Sequence, residues 1–446
     1  MKLRILPPDE LIEDGVVTLP LSKSLGMRAL LLAALTGERE LPADGIAVCD
    51  DTAALRAAIE AWRALPGGQG ELTVDVGASG AALRFLCAFL AALPGVTVTL
   101  GGCDRLCQRP MRELVEALRQ CGADIEYLGT EGHAPLKING KELEGGTVTV
   151  DVTVSSQFIS ALLMVAPLMR RGLEINFDGE PVSLPYITMT LGMMEKRGVT
   201  ADREPLRVKV EPGSYRPVPA EAEGDWSAAA FWYEISALSS GWIRLANLRR
   251  DSLQGDRAAE RYFECLGVTT EEPEDEGPGL SLCPSPEVYG RLDLDLTDNP
   301  DLAPALAATA CFIGVPFRLT GLKGLSGKEC DRLEAMCAEM AKIGRIVEKI
   351  RDFGLEWDGR SVPVTALPAF DSHGDHRMAM ALAPAAIYMP GITVDGAEAV
   401  AKSYPGFWDD LRSVGFSVEE VTDEENAAGK EGNKGEDGKE GKEAEG

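Results

Sequence analysis

The chain has 446 residues, of which 45% are hydrophobic and 26% charged, and its formal net charge is −27. This length exceeds the size at which one hydrophobic core stops growing, so we expect two domains. An acidic surface repels nucleic-acid phosphates, which excludes a nucleic-acid partner, and the apolar runs are too short or too interrupted to span a bilayer. The N-terminus lacks the basic-then-apolar order of a signal peptide, so we expect a cytoplasmic protein.

Two kinds of predicted helix alternate along the chain. One kind is apolar on all sides, as in a buried helix, and the other has a single apolar face. The buried kind is predicted at 25–35, 80–93, 156–169, 226–238, 301–314 and 376–388, and the amphipathic kind begins at 51, 111, 186, 258, 330 and 405. Short β-branched strands, such as 96–100, 147–152 and 392–394, separate or follow these helices. The pattern predicts an α/β protein of six repeated units.

Domain boundaries follow from the same pattern, with three units in each domain. A Pro-rich stretch at 212–219 separates the third unit from the fourth, and the first buried helix begins only after Pro20. The first strand is therefore expected to join the C-terminal half. We predict a discontinuous first domain of residues 1–18 plus 224–421 and a second domain of residues 19–223. Residues 422–446 contain almost nothing apolar, which predicts a disordered acidic tail.

Metal and disulfide chemistry have little support in the sequence. The ten cysteines form no Cys-x-x-Cys pair, and the chain has only three histidines. Neither a zinc site nor a disulfide framework is therefore expected.

Polar and basic residues precede most of the buried helices. Ser22, Lys23, Ser24 and Arg28 open the first of them. A helix N-terminus offers free N–H groups and the positive end of its dipole, which suits a phosphate or a carboxylate. One such start is ordinarily explained by capping alone, but its repetition with Lys and Arg favours an anion-binding site. For Arg332, a surface ion pair with Glu329 on one helix face is an open alternative.

The motifs occur in an order that is similar to that of the 5-enolpyruvylshikimate-3-phosphate synthase family, up to about residue 421. The residues that carry this resemblance are Ser22-Lys-Ser with Arg28, Gly77-x-x-Gly80 with Arg84, Arg105-x-x-x-Arg-Pro110, Ser155-Ser-Gln157, Ser183-x-Pro-Tyr186, Gly224-Asp-Trp-Ser227, Pro300-Asp301, Lys328-Glu-x-Asp-Arg332, Asp375-His-Arg-Met378 and Lys402-Ser-Tyr-Pro405.

The resemblance implies a two-domain inside-out α/β barrel of enolpyruvyl transferase type that closes over its substrates. The implied reaction transfers the enolpyruvyl group of phosphoenolpyruvate to the 5-hydroxyl of shikimate 3-phosphate and releases phosphate, in the shikimate pathway to chorismate and the aromatic amino acids. It implies no metal and no organic cofactor, and we expect a monomer.

Roles for single residues are implied in the same way. For shikimate 3-phosphate, Ser24 and Arg28 would hold the carboxylate, Ser155, Ser156 and Ser183 the phosphate, and Gln157, Asp301 and Lys328 would complete its site. For phosphoenolpyruvate, Lys23, Arg109, Gln157 and Lys402 would surround the phosphate beside Gly80, and Arg332 and Arg377 would hold the carboxylate in two-pronged contacts.

The implied catalytic residues are Lys23, Asp301, Lys328 and Glu329. One group must take a proton from the attacking hydroxyl, and one must deliver a proton to the methylene carbon. We expect Asp301 and Lys328 at the hydroxyl and Glu329 at the methylene. Carboxylates among so many cations should stay ionised unless desolvated, so which one donates remains open.

The chain departs from the family at three positions in these loops. Ala78 and Gly324 replace an Asn, and Ala81 replaces a Thr, so hydrogen bonds to substrate are expected to be lost there. Two rival functions are considered. The sister transferase that acts on a UDP-amino sugar uses a Cys in its mobile loop, where Cys103 and Cys107 fall here, but Arg109-Pro110 and 155–157 favour shikimate. A non-catalytic anion-binding protein is the other.

Overall fold

The computed structural model describes residues 1–38, 40–273 and 277–421. The predicted acidic tail at 422–446 lies outside the described residues. The helices are α1 Lys23–Leu35, α2 Asp50–Arg63, α3 Gly80–Ala91, α4 Asp104–Cys107, α5 Arg112–Gln120, α6 Ser156–Val165, α7 Leu184–Lys196, α8 Trp226–Ser239, α9 Ala259–Glu264, α10 Ala303–Ile313, α11 Arg332–Ala341, α12 His376–Leu382 and α13 Phe407–Ser413.

The strands are short and mostly alternate between buried and exposed side chains. They are β1 Lys2–Leu6, β2 Gly15–Val17, β3 Gly70–Asp75, β4 Val96–Gly101, β5 Asp124–Tyr127, β6 Leu136–Asn139, β7 Gly146–Asp151, β8 Leu173–Asp178, β9 Ala201–Glu204, β10 Arg207–Val210, β11 Ile243–Leu245, β12 Leu266–Glu271, β13 Leu280–Val288, β14 Leu292–Asp295, β15 Phe317–Thr320, β16 Glu348–Ile350, β17 Gly354–Trp357, β18 Ala369–Asp371, β19 Ile392–Asp395 and β20 Ser417–Glu420.

These strands form four-stranded sheets with one shared topology. The sheet orders are β3-β4-β6-β5, β7-β8-β10-β9, β2-β11-β13-β12, β14-β15-β17-β16 and β18-β19-β1-β20. In each sheet the first two strands run parallel and the other neighbours pair antiparallel. A buried helix connects the two parallel strands in four of these sheets, as a parallel pair requires a crossover.

Two deviations from strict repetition bear on the sequence prediction. Strand β1 pairs with β19 and β20, so the first strand does join the C-terminal half, as predicted. The first unit, in contrast, consists of α1 and α2 without strands of its own among described residues 18–38 and 40–69. The prediction that every unit contains strands is therefore wrong for this unit.

The buried side chains of the described residues form two separate hydrophobic cores. One core contains residues between Met27 and Tyr215, and we call this part of the molecule the N-lobe. The other contains residues 3–19 together with residues 226–418, and we call it the C-lobe. Apolar helices such as α3, α6 and α10 lie almost wholly inside these cores, which explains why their sequences show no polar face. No helix among the described residues is long and apolar enough to cross a membrane.

The chain passes between the lobes near residues 21–22 and again near residues 223–226, and the buried side chain of Gln254 links these two segments. Leu21 and Gly224 form an isolated antiparallel bridge there. The Gln254 amide oxygen accepts from the Ser22 hydroxyl at 2.8 Å and from the Trp226 N–H at 3.1 Å. Its nitrogen donates to Glu223 and to the Gly224 carbonyl at 2.6 and 2.8 Å. All four hydrogen-bonding positions of this amide are used, so the crossing is closely defined.

A buried carboxyl group makes the stability of the C-lobe dependent on pH. Glu234 lies within α8 with no exposed surface, and neither carboxyl oxygen has a hydrogen-bond partner among the described residues. Burial raises the pKa of Glu234 well above its ordinary value. Because the folded pKa is the higher one, its stabilising effect is complete below the unfolded pKa of about 4.3 and is lost as pH rises.

We therefore expect Glu234→Gln, which cannot ionise, to gain thermal stability relative to the wild type between pH 5 and pH 8. The wild type loses up to about 1.4 kcal/mol per pH unit in this interval, whereas the amide does not titrate. Thermal unfolding curves of both proteins at the two pH values measure the difference. An equal difference in midpoint at pH 5 and pH 8 would contradict a raised pKa at this position.

Candidate active site

Side chains cap most of the buried helices at the ends that face the cleft between the lobes. Ser22, Ser79, Ser155, Asp225 and Asp375 accept hydrogen bonds from the first turns of α1, α3, α6, α8 and α12. The sequence alternatives of capping and anion binding are therefore not exclusive, because the caps leave other N–H groups and the neighbouring basic side chains directed at the cleft.

A cavity of about 320 Å³ lies between the lobes at these helix ends. The predicted site residues that line it are Lys23, Ser24, Arg28, Gly80, Arg109, Ser155, Ser156, Gln157, Ser183, Asp301, Lys328, Glu329, Arg332 and Arg377. Lys402 adjoins this group, since its ammonium lies 3.4 Å from Glu329 Oε1 and donates to the Ala78 carbonyl at 2.7 Å. Tertiary structure thus brings together residues that are up to about 380 positions apart in the chain.

The C-lobe side of the cavity is organised around one buried guanidinium. Arg332 is only 2% exposed, so the alternative of a surface ion pair is wrong. Its Nη1 lies 2.8 Å from Asp301 Oδ1 and its Nη2 lies 3.1 Å from Glu329 Oε2. Its Nε and Nη2 also donate to Asp375 at 2.7 and 3.2 Å. The guanidinium fork therefore holds protein carboxylates on three sides.

The remaining cations on this side neutralise Asp301. Arg377 Nη2 lies 3.2 Å from Asp301 Oδ2, and Lys328 Nζ lies 3.2 Å from Asp301 Oδ1. Burial opposes ionisation of this carboxyl, but Arg377, Lys328 and Arg332 outweigh it and hold the pKa of Asp301 well below its usual range. Asp301 is therefore ionised and able to accept a proton.

Glu329 and Lys328 have pKa shifts that matter for proton transfer. Burial raises the pKa of Glu329, but attraction by Arg332, Lys402 and His376 prevails and keeps its pKa well below the usual range. Burial lowers the pKa of Lys328 in spite of Asp301. The carboxylate is thus ionised, and the amine gives up its proton more readily than an exposed lysine does.

The N-lobe side of the cavity has buried cations without a carboxylate partner among the described residues. Arg28 is 3% exposed, and its guanidinium donates to the Thr190 and Ser160 hydroxyls at 2.7 and 3.1 Å. Burial lowers the pKa of Arg28 to about 10. The Nε atoms of Arg84 and Arg109 are buried and have no hydrogen-bond partner among the described residues. An anionic ligand would stabilise such buried donors. Oε1 of Gln157 is likewise buried without a partner in the described part of the chain, and it can accept a hydrogen bond from a ligand hydroxyl.

The backbone at Ser183 is strained where it enters the site. Its φ of 54° lies in the left-handed region that residues other than glycine seldom adopt. Its N–H donates to the Thr297 carbonyl of the C-lobe at 2.9 Å, which stabilises this conformation. Strained backbone of this kind concentrates at functional sites.

Several site residues were missed by sequence reasoning as single candidates. Tyr186, His376 and Asp375 lie inside quoted motifs, but nothing in their spacing set them apart. His376 is 2% exposed, and neither ring nitrogen has a hydrogen-bond partner among the described residues. Burial and the nearby Lys23 ammonium hold its pKa well below the usual range. Asp51 also lines the cavity, although it occupies the first turn of an amphipathic helix, where an acid is ordinarily explained by the helix dipole.

The departures at Ala78, Ala81 and Gly324 lie in or beside the cavity. Ala81 and Gly324 line it, and the Ala78 carbonyl accepts from Lys402 of the other lobe. Ala78 lacks the amide side chain that the family has there, but its backbone carbonyl still makes a contact between the lobes.

Gly80 lies where the side chains of Arg84 and Arg109 approach the backbone closely. A Cβ atom on Gly80 would lie 2.6 Å from Nη1 of both Arg109 and Arg84, and real Cβ contacts are never that short. We expect Gly80→Ala to displace Arg109 and to raise KM for the anion bound there between about 10-fold and 100-fold. Steady-state kinetics with phosphoenolpyruvate varied, the anionic substrate that the sequence resemblance implies, would measure this rise. Gly213→Ala, where a Cβ meets no atom within 4 Å, is the control, and equal KM values for both variants would contradict the argument.

No group of three or more His, Cys, Asp or Glu among the described residues could hold a metal ion. Neither Cys103 nor Cys107 is among the described residues that line the cavity. The fold and the site together indicate an enzyme class: a two-lobed α/β protein whose cleft is lined by cations that suit small polyanions, beside ionisable groups suited to proton transfer.

Comparison with known proteins gives the family. The family model for EPSP synthase (3-phosphoshikimate 1-carboxyvinyltransferase) matches residues 12–411. A 3-phosphoshikimate 1-carboxyvinyltransferase of Bacteroides fragilis is 44% identical over 91% of this chain and 96% of its own length. One from Shewanella amazonensis is 34% identical over 91% of this chain and 97% of its own. The chain belongs to the EPSP synthase family, which confirms the resemblance deduced from the motifs.

A solved structure agrees in fold. EPSP synthase from Acinetobacter baumannii superimposes with a TM-score of 0.72 over 94% of this chain and 100% of its own, at 22% identity. At this identity the likeness concerns the mixed α/β fold alone.

Proposed function

We propose that this protein transfers the enolpyruvyl group of phosphoenolpyruvate to the 5-hydroxyl of shikimate 3-phosphate and releases phosphate. Family membership and the names of the relatives support this reaction. The observation that carries the proposal is the convergence of buried cations from both lobes on one cavity that also contains Asp301 and Glu329. Two polyanionic substrates would supply the negative charge that these cations require.

Shikimate 3-phosphate is assigned to the N-lobe side. Arg28, which lacks a carboxylate partner among the described residues, would pair with the shikimate carboxylate together with Ser24. The phosphate would lie at the N-terminus of α6, where Ser155 and Ser156 adjoin free N–H groups, and at Ser183. Gln157, Asp301 and Lys328 would contact the remaining polar groups of this substrate.

Phosphoenolpyruvate is assigned to the space between the lobes. Its phosphate would lie among Lys23, Arg109, Gln157 and Lys402, with Gly80 giving it room at the start of α3. Its carboxylate would bind Arg332 and Arg377. The forks of these two arginines contact Asp301 in the free protein, so a substrate carboxylate has to share or displace that contact.

Proton transfer is assigned to the carboxylates and the lysines. As the C–O bond forms, Asp301 with Lys328 would take the proton of the 5-hydroxyl, and the methylene carbon would gain a proton from Glu329. The methyl group returns a proton when the C–O bond to phosphate breaks, which restores the double bond. Glu329 is ionised in the free protein, so it has to take up a proton from solvent when the substrates bind. The negative charge of the bound substrates raises its pKa and favours this uptake.

Closure of the lobes would exclude water, which competes with the hydroxyl for the activated enol. Arg105 of α4 supports this geometry, since its Nη2 donates across the cleft to the Ser326 and Lys328 carbonyls at 3.4 and 3.2 Å. Fixed charges around the reacting atoms would then act without competing solvent.

The finer description of the fold belongs to the same proposal. We propose two domains, 1–18 plus 224–421 and 19–223, each an inside-out barrel of three units, and the two separate hydrophobic cores support this division. We also propose a cytoplasmic monomer that needs no cofactor.

A phosphate-release assay tests the function. We expect phosphate only when phosphoenolpyruvate and shikimate 3-phosphate are both present, in an amount equal to the enol ether formed. Reactions with either substrate alone, and with a UDP-amino sugar as the acceptor, are the controls. Release with the UDP-amino sugar instead would assign the chain to the sister transferase, and binding without release would make it an anion-binding protein.

A further inference from the structure

We propose that Asp51 is a positioning residue that holds the ammonium groups of Lys23 and Lys402, one from each lobe, together at the phosphoenolpyruvate end of the cavity. This inference rests on the proposed function. It adds a residue outside every motif that carried the family resemblance.

The geometry is that of a bridge. Asp51 is 4% exposed, and each of its carboxylate oxygens faces a different lysine. Oδ2 lies 3.0 Å from Lys23 Nζ, and Oδ1 lies 3.4 Å from Lys402 Nζ. Lys23 begins α1 of the N-lobe, whereas Lys402 follows β19 of the C-lobe. One carboxylate thus sets the separation of two cations across the cleft.

The other contacts of these lysines show what Asp51 contributes. Lys402 is also directed by the Ala78 carbonyl and by Glu329 Oε1. For the Lys23 ammonium, Asp51 supplies the ion pair among the described residues. Removal of Asp51 should therefore release Lys23 more than Lys402.

A purely stabilising role explains the arrangement less well. A buried ion pair is weak ground for stability, because desolvation offsets most of the attraction. Two ammonium groups beside each other repel, however, and without a carboxylate between them they would not both stay charged and aimed at one phosphate. Asp51 keeps them in place before the phosphate arrives.

Protonation of Lys23 gives a second, independent readout. The groups that face Lys23 are Asp51 and Cys49 beside α2, Arg377 and His376 at the start of α12, and Glu329. Burial disfavours the charged amine, but Asp51, assisted by Cys49 and Glu329, more than offsets burial and raises the pKa of Lys23. Loss of Asp51 should let this pKa fall, so the amine would lose its proton at lower pH.

The experiment compares Asp51→Asn with Asp50→Asn. Asp50 is exposed and shares the first turn of α2, so the control removes the same charge from the helix N-terminus without touching a lysine. Initial rates of phosphate release are measured with phosphoenolpyruvate varied at saturating shikimate 3-phosphate. Calorimetry measures binding of shikimate 3-phosphate alone.

We expect Asp51→Asn to lower kcat/KM for phosphoenolpyruvate at least about 30-fold. The Kd of shikimate 3-phosphate should change less than threefold, and the alkaline limb of kcat/KM should move measurably to lower pH. Asp50→Asn should stay within twofold of the wild type in all three measurements.

Asp51→Glu keeps the charge but displaces the carboxylate by one methylene, and it decides the matter if Asp51→Asn does not fold. We expect it to lower kcat/KM for phosphoenolpyruvate at least about fivefold without changing shikimate 3-phosphate binding. For either variant, equal losses for both substrates or rates within threefold of Asp50→Asn would overturn the inference. For Asp51→Asn, an unmoved alkaline limb would overturn it as well. A wild type that releases no phosphate would instead overturn the proposed function.

Discussion

Glu329→Gln is expected to lower kcat about 1,000-fold, within the range that loss of a general acid–base group produces. The amide cannot carry the proton between solvent and the methylene carbon. It also cannot balance the charges of Arg332 and Lys402, which lie 3.1 and 3.4 Å from the Glu329 oxygens. Phosphate release under saturating substrates measures kcat, and calorimetry with shikimate 3-phosphate measures binding, which should change little.

The matched control for this prediction is Glu334→Gln, two residues into α11. Glu334 is 66% exposed and pairs with Lys349 at the surface, so kcat should stay within twofold of the wild type. A kcat for Glu329→Gln that falls less than tenfold would remove Glu329 from the proton path. Asp301→Asn and Lys328→Met would then be the variants to measure next.

Arg332→Met is expected to abolish activity and also to destabilise the C-lobe. The substitution leaves Asp375 and Glu329 without their closest cation and takes one of three from Asp301. Removing one member of a buried charge network costs about 3–5 kcal/mol, which lowers the thermal midpoint of a domain of this size by roughly 6–20 °C. Thermal unfolding at neutral pH measures the shift.

Arg377→Met distinguishes the loss of activity from the loss of stability. Arg377 contacts one carboxylate, Asp301, which keeps Lys328 and Arg332 after the substitution. We expect a comparable loss of kcat/KM for phosphoenolpyruvate with a midpoint that falls by less than half as much. Equal midpoints for the two variants would show that Arg332 has no special place in the network.

The pH dependence of the Arg332→Met deficit follows from the depressed pKa values of Asp301 and Glu329. A carboxyl whose folded pKa is lowered contributes stability above its unfolded pKa and loses it as pH falls through the folded value. The wild type therefore loses the stability that these carboxylates contribute below about pH 4. The difference in thermal midpoint between the wild type and Arg332→Met should shrink there.

Local sequence patterns were sufficient to place the buried helices and to indicate the family, although they missed α4 and extended α6 and α12 beyond their observed ends. Apolar residues on all faces predicted the buried helices, Ser22 predicted the start of α1, and the ordered polar motifs predicted an anion site. These features depend on periodicity, capping and local backbone conformation, which neighbouring residues determine. The placement of β1 with the C-terminal half also followed, because the first buried helix begins only after Pro20 and leaves the strand before it outside the first unit.

Charge pairing could not be predicted in the same way. The bridge from Asp51 to two lysines joins residues 28 and 351 positions apart, and neither spacing forms a pattern. The same holds for Arg332, whose apparent surface pairing with Glu329 is one edge of a buried network that includes Asp301 and Asp375. The depressed pKa values of Asp301 and Glu329 depend on cations that other elements bring close to them, so these shifts arise only once the chain has folded.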